Sequence, residues 1–126
     1  MIELSDNVKL SGLRFQHYKN KKFYDHIAEA KWMGSFERPN RKFVFEAKHT
    51  ETGQVLKSYL ERDNYEYLYE HDLGELTIYR ADYYDPTYGY NMIWARPADM
   101  FWGDVEVEDG EVTPRFRLVT NEEESK

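Results

Sequence analysis

The chain has 126 residues, of which 40% are hydrophobic and 17% aromatic, and its formal net charge is −7. This length and hydrophobic content predict one folded domain with a single core. Because the chain has no cysteine, disulfides, thiolate metal sites and cysteine nucleophiles are excluded, and the acidic balance argues against a nucleic-acid partner.

The charges are unevenly distributed along the chain. Residues 1–57 carry 11 basic and 7 acidic groups, whereas residues 58–126 carry 6 basic and 17 acidic groups. No apolar run approaches the roughly 20 residues of a membrane helix, and the first residues do not resemble a signal peptide. We therefore expect a cytoplasmic protein without a membrane partner, with an acidic surface in its second half.

Short runs of alternating apolar and polar residues, separated by turn signals, predict one β-barrel domain at residues 13–119. An N-terminal arm at 1–12 precedes it, and an acidic mobile tail at 120–126 follows it. A single helical turn is predicted at 98–101, directly after Pro97. The predicted strands cover residues 13–18, 23–33, 42–49, 55–60, 76–83, 92–96 and 115–119, with a loop at 34–41 and a hairpin at 105–112.

Residues 62–74 fit two interpretations. The Asp-Asn pair at 63–64 is typical of a helix cap, and Gly74 is typical of a helix end. The alternating tyrosines at 65–69 fit a strand equally well. We favour the helix.

Five short motifs along the chain resemble one family, the DUF1653 proteins of bacteria and phages, whose function is unknown. The motifs are Phe-Gln-His-Tyr-Lys at 15–19, Ala-Lys-His-Thr-Glu-Thr-Gly at 47–53, Ile-Tyr-Arg at 78–80 with Tyr83, Trp-Ala-Arg-Pro at 94–97 with Met100 and Phe101, and Pro-Arg-Phe at 114–116. The resemblance implies an SH3-like β-barrel and supplies no reaction. Two departures stand out: Asn20 replaces a usual glycine, and the gaps at 24–46 and 56–75 resemble insertions.

The fold class that we predict is therefore mainly β, a small SH3-like barrel or roll with elaborated loops and at most one or two short helices. Within the motifs lie polar and aromatic residues that are costly to bury without partners. Pro97 restricts Arg96 to extended geometry, which gives its guanidinium a defined direction. We expect these side chains to line a common pocket: His17, Lys19, His49, Glu51, Arg80, Tyr83, Trp94 and Arg96.

Such a pocket predicts a binding module for an anionic small molecule, including nucleotide-like ligands. Arg96 and Arg80 would hold the negative group, because the arginine fork fits a carboxylate or phosphate. Trp94 or Tyr83 would stack on a flat group. We predict no catalytic residue, metal or cofactor.

Several alternatives remain open at this point. Glu51 could pair with Arg80 or Arg96, while His17 and His49 bind backbone groups. The two histidines could serve a hydrolase as an acid/base pair, and with Glu51 they supply enough ligands for a metal. The acidic residues 58–126 could instead bind a basic protein partner, as an inhibitor does.

Overall fold

A computed structural model of the chain describes residues 12–34, 41–61, 66–108 and 110–119. Three predicted segments fall wholly or largely outside these residues. They are the arm at 1–12 except for Gly12, the middle of the loop at 34–41, and the tail at 120–126.

The described residues form twelve strands and one short helix. In chain order these are β1 (Arg14–His17), β2 (Phe23–Trp32), β3 (Arg41–His49), β4 (Val55–Glu61), β5 (Glu66–Tyr69), β6 (Leu76–Ala81), β7 (Tyr84–Asp85), β8 (Gly89–Tyr90), β9 (Ile93–Pro97), α1 (Ala98–Trp102), β10 (Asp104–Glu106), β11 (Val112–Pro114) and β12 (Phe116–Leu118). The helical turn expected after Pro97 is therefore present as α1.

Six strands close into a barrel in the order β2-β5-β4-β3-β9-β6, and β6 pairs back with β2. Two of these pairings, β2 with β5 and β3 with β9, are parallel. Strands β1 and β12 extend the sheet beyond the amino-terminal half of β2. The mainly β fold and the barrel predicted from the sequence are confirmed.

A β-bulge in β2, between His26 and Ala28, turns the two halves of this strand to opposite sides of the barrel wall. Ala28 lies opposite Ile78, which faces the barrel interior, whereas His26 lies opposite Tyr79, which faces outward. Simple alternation along residues 24–30 would place all the even positions on one face. The extra residue of the bulge reverses the pattern.

The barrel interior combines alanines with larger side chains. Ala30, Ala47 and Ala95 are at most 1% exposed, and they pack with Tyr69 and Ile78 among others. Small residues beside large ones fill a narrow barrel without leaving voids. The inside of the barrel is therefore core, and a site must lie elsewhere.

A second core lies on the outer face of the barrel, where β1, β12 and α1 cover β6 and β2. Its centre is Phe101, whose ring stacks on Phe116 with centroids 4.2 Å apart and meets Phe15 edge-on at 5.5 Å. The ring of Tyr79 lies 5.1 Å from that of Phe101. Residues 76–79 of β6 are thus buried on both faces, with Ile78 in the barrel core and Tyr79 in the outer core.

The helix α1 is fixed to the barrel by a buried carboxylate. Oε1 of Glu29 accepts hydrogen bonds from Trp102 Nε1 at 2.8 Å and from Thr77 Oγ1 at 2.9 Å. Oε2 lies 2.7 Å from His26 Nε2. A buried carboxylate is tolerated because both of its oxygens have partners.

The helix favoured for residues 62–74 is wrong where this segment is described, because Glu66–Tyr69 forms β5. This strand pairs with β2 on one side and β4 on the other, and Leu68 and Tyr69 are fully buried. Tertiary pairing overrides the local capping signal. The gaps at 24–46 and 56–75 that resemble insertions likewise supply strands of the barrel wall.

We predict that Phe101→Ala destabilises the protein by about 3–5 kcal/mol, because it leaves a cavity in the outer core. Urea unfolding followed by circular dichroism measures this free energy. Phe43→Ala is the matched control, since Phe43 is half exposed, and we expect it to cost about 1 kcal/mol or less. Equal losses for both variants would contradict the assignment of Phe101 as the centre of this core.

Candidate functional site

A cavity of about 320 Å³ opens on the outer face of the barrel, beside the aromatic core. We call it the Arg96 cavity. It is lined by polar and aromatic side chains from several strands and turns: His17, Asn20, Tyr24, Thr50, Tyr79, Tyr83, Trp94, Arg96 and Phe116.

Strand pairing brings these distant residues together. Tyr79 of β6 lies directly opposite Trp94 of β9, and His17 of β1 lies directly opposite Phe116 of β12. Along β9, Ile93 and Ala95 pack on the barrel core. Strand alternation therefore turns Trp94 and Arg96 to the outside, toward the cavity.

Arg96 is held in place by its neighbours without being neutralised. Its Nε donates to the Tyr79 hydroxyl at 2.9 Å, and its guanidinium carbon lies 5.6 Å from the Phe116 ring centroid. Among the described residues, no carboxylate lies within ion-pair distance of Arg96, and its terminal nitrogens make no hydrogen bond. The cavity therefore carries a fixed positive charge without an ion-pair partner among the described residues, and the carboxylate of Glu51 acts on it through its charge, which reaches Tyr79.

His17 is a neutral hydrogen-bond donor in this cavity. Its Nδ1 accepts from the backbone N–H of Lys19 at 3.2 Å and, at the limit of a hydrogen bond, from that of Asn20 at 3.5 Å. The proton of the neutral ring therefore sits on Nε2. Burial, followed by the charges of Arg96, Arg115 and Lys19, lowers the pKa of His17 to about 4. At pH 7 the ring is thus uncharged.

His49, at the end of β3, starts a turn of the same kind in the connection to β4. Its Nδ1 accepts from the backbone N–H groups of Glu51 and Thr52, both at 3.1 Å. Burial lowers the pKa of His49, and the charge of Glu51 partly opposes this effect. Both histidines therefore bind backbone groups, as one of the alternatives above expects.

A chain of neutral polar groups forms another wall of the cavity. The hydroxyls of Tyr24 and Tyr83 lie 2.8 Å apart, and Asn20 Nδ2 donates to Tyr24 at 3.0 Å. Burial raises the pKa of Tyr79 to about 12 and raises that of Tyr83 well above its ordinary value. The Thr50 hydroxyl is buried and has no hydrogen-bond partner among the described residues.

Of the eight predicted site residues, the structure brings four together in the lining: His17, Tyr83, Trp94 and Arg96. Lys19, His49, Glu51 and Arg80 do not line the cavity. Lys19 still acts on His17 through its charge. Arg80 projects away and pairs with Asp25 at 3.2 Å, and no pairing of Glu51 with either predicted arginine is found among the described residues.

Sequence reasoning missed other lining residues, including Asn20, Thr50 and Phe116. Asn20 and Thr50 reach the cavity only because the two histidine turns lie beside it, and no residue pattern signals that placement. No cluster of histidine, aspartate and glutamate suited to a metal occurs within the described part of the chain. Its short helix is also unable to cross a membrane.

The comparisons with known proteins support one statement about descent. A family model described as "Protein of unknown function (DUF1653)" matches residues 61–118, which include Arg80, Tyr83, Trp94 and Arg96. His17 and His49 lie before the matched region. No curated protein and no solved structure matches the chain. Residues 61–118 are therefore similar to the DUF1653 family, whose function is unknown.

Proposed function

We propose that the protein is a binding module that holds a small anionic ligand, with nucleotide-like molecules as the favoured class, in the Arg96 cavity. The observation that carries this proposal is the guanidinium of Arg96, which has no ion-pair partner among the described residues and lines a cavity of polar and aromatic residues. A partly buried charge without a partner is costly. An anion that accepts two hydrogen bonds from the fork would offset that cost.

The uncharged donors of the cavity suit the rest of such a ligand. The Nε2–H of His17 has no partner among the described residues, so it is available to a ligand acceptor. The Tyr24 and Tyr83 hydroxyls offer further positions that donate or accept. These groups orient a ligand without adding charge.

The walls favour a flat group. Trp94 is only partly buried and lines the cavity, and stacking on an aromatic side chain is a common way of holding a base. Tyr79 and Phe116 belong to the buried outer core and form the floor behind it. The volume of about 320 Å³ lies at the low end of the ~300–1,000 Å³ typical of small-molecule pockets. The cavity therefore suits one nucleotide unit instead of an extended chain.

The other candidate functions gain less support. His49 does not line the cavity that His17 lines, so the two imidazoles do not face one substrate as a hydrolase pair. The tyrosines, with their raised pKa values, stay protonated at pH 7. An acidic interface through residues 58–126 and a cytoplasmic location remain predictions.

We predict that Arg96→Gln weakens the binding of 5′-nucleoside monophosphates by roughly 10- to 100-fold, because it removes hydrogen bonds to a charged group. Isothermal titration calorimetry with the four monophosphates measures the Kd. Arg80→Gln is the matched control, since Arg80 lies one strand away and outside the cavity, and it should change the Kd less than twofold. Absence of binding by the unaltered protein, or equal losses in both variants, would refute the proposal.

We predict that Arg96→Gln raises the pKa of His17 above about 4, because it removes one of the charges that lower this pKa. Phosphate bound in the cavity should also raise it, since an anion favours the imidazolium. Titration of the ring by NMR gives the pKa, and Arg80→Gln should leave it unchanged. A pKa near 6.5 in the unaltered protein would show that the ring is not buried beside these charges.

A further inference from the structure

The Arg96 cavity contains more unused hydrogen-bond donors than unused acceptors. The terminal nitrogens of Arg96 make no hydrogen bond among the described residues. The Nε2–H of His17 likewise has no acceptor there, because Nδ1 is the ring atom that binds the backbone. Both side chains can only donate to a ligand, since the guanidinium has no acceptor atom and the acceptor of the neutral imidazole is already in use.

The tyrosine hydroxyls of the cavity add two further protons. The Tyr79 hydroxyl accepts from Arg96 Nε at 2.9 Å, and its own proton has no acceptor among the described residues. The Tyr24 and Tyr83 hydroxyls share one hydrogen bond of 2.8 Å, which uses one of their two protons. Whichever of these two tyrosines donates, the O–H of the other is left without an acceptor in the described chain.

The side-chain acceptors of the cavity are already occupied or out of reach. Oδ1 of Asn20 accepts from the backbone N–H of Lys22 at 2.7 Å, and Nδ2 of Asn20 donates to the Tyr24 oxygen at 3.0 Å. The Thr50 oxygen has no partner among the described residues, but it is buried from solvent. The described lining therefore presents several donors and no free carboxylate, amide oxygen or imidazole nitrogen as an acceptor.

The charged groups around the cavity do not change this balance. Two carboxylates act on it through their charge, Glu51 on Tyr79 and Asp85 on Tyr83, but neither lines it. The cations that act on the ring of His17 are Arg96, Arg115 and Lys19. Cationic side chains offer only donors, so they add to the excess.

A protonated anion would bring one more donor into this cavity. Its O–H group would lack an acceptor, and burying a donor without a partner costs free energy. We propose that the Arg96 cavity selects an oxyanion that carries no proton, such as a phosphomonoester dianion, a phosphodiester or a sulfate ester, over the protonated monoanion of a phosphomonoester. This inference rests on the proposed function and specifies the ionisation state of its ligand.

Two ligands of equal charge separate the effect of the proton from the effect of charge. The test uses the nucleoside whose 5′-monophosphate binds most tightly at pH 8. At pH 5 this monophosphate is mainly a monoanion with one P–O–H group, because its second pKa is about 6, whereas the matching 5′-sulfate is a monoanion without a proton. Calorimetry should show the sulfate binding roughly tenfold more tightly at pH 5. At pH 8 the monophosphate has lost its proton and gained charge, so the order should reverse.

Asn20→Asp supplies the acceptor that the cavity lacks. The aspartate keeps the oxygen that binds the N–H of Lys22, and its second oxygen accepts from the ligand or, by accepting from Tyr24, frees a hydroxyl oxygen to do so. The added charge weakens both monoanions alike, whereas the ratio of their Kd values at pH 5 should fall to about twofold or less. Asn91→Asp is the matched control, because Asn91 lies outside this cavity and aspartate tolerates its positive φ. It should leave the ratio unchanged.

The results distinguish this inference from the proposed function. The selection against a proton is wrong if the sulfate does not bind more tightly at pH 5 or if it remains the tighter ligand at pH 8. It is also wrong if Asn20→Asp keeps its Tm and leaves the ratio as it is. In each case the proposed function stands when the monophosphate binds at pH 8 and Arg96→Gln weakens that binding. If neither ligand binds at pH 8, both proposals are wrong.

Discussion

The β-bulge between His26 and Ala28 is the constraint on which the rest of the structure depends. It lets β2 face the barrel interior along one half and the outer core along the other, so that one strand serves two clusters of buried side chains. Without the extra residue, Tyr24 would point into the barrel, where the alanine-rich interior has no room for it. With it, Tyr24 reaches the outer face and becomes a wall of the Arg96 cavity. The barrel can therefore be filled completely while a site forms on its outside.

Local patterns predicted most of the strands, because alternation and turn residues act over a few positions. The closure of the barrel depends on two parallel pairings between strands far apart in sequence, and such pairings leave no short-range signal. Strand β5 shows the limit most clearly. Its cap and stop residues are typical of a helix, but Leu68 and Tyr69 are buried between two neighbouring strands. The free energy gained by burying these two side chains exceeds the weak local preference for a helix.

The part of the candidate site that could be predicted is the part in which strand alternation determines where a side chain points. Pro97 and the alternation of β9 determine where Trp94 and Arg96 point, and both lie in the cavity. Arg80 was grouped with them because it belongs to one of the motifs. It follows Tyr79 directly in β6, so alternation turns it to the opposite face, where it pairs with Asp25. The turns after His17 and His49 are similar in their hydrogen bonds. This similarity could not be predicted, because residues 18–21 and residues 50–53 share no sequence pattern.

The charges of the cavity follow from its burial. Desolvation penalises every ionised form, so His17 stays neutral and Tyr79 and Tyr83 stay protonated. Arginine alone resists this effect, because its pKa lies far above the physiological range. The cavity thus presents one constant positive charge at Arg96, surrounded by neutral donors, over several units of pH above 4. A protonated imidazole would add charge but lose the acceptor that fixes its own turn. Neutrality of His17 therefore keeps the turn folded, and the folded turn brings Asn20 to the Arg96 cavity.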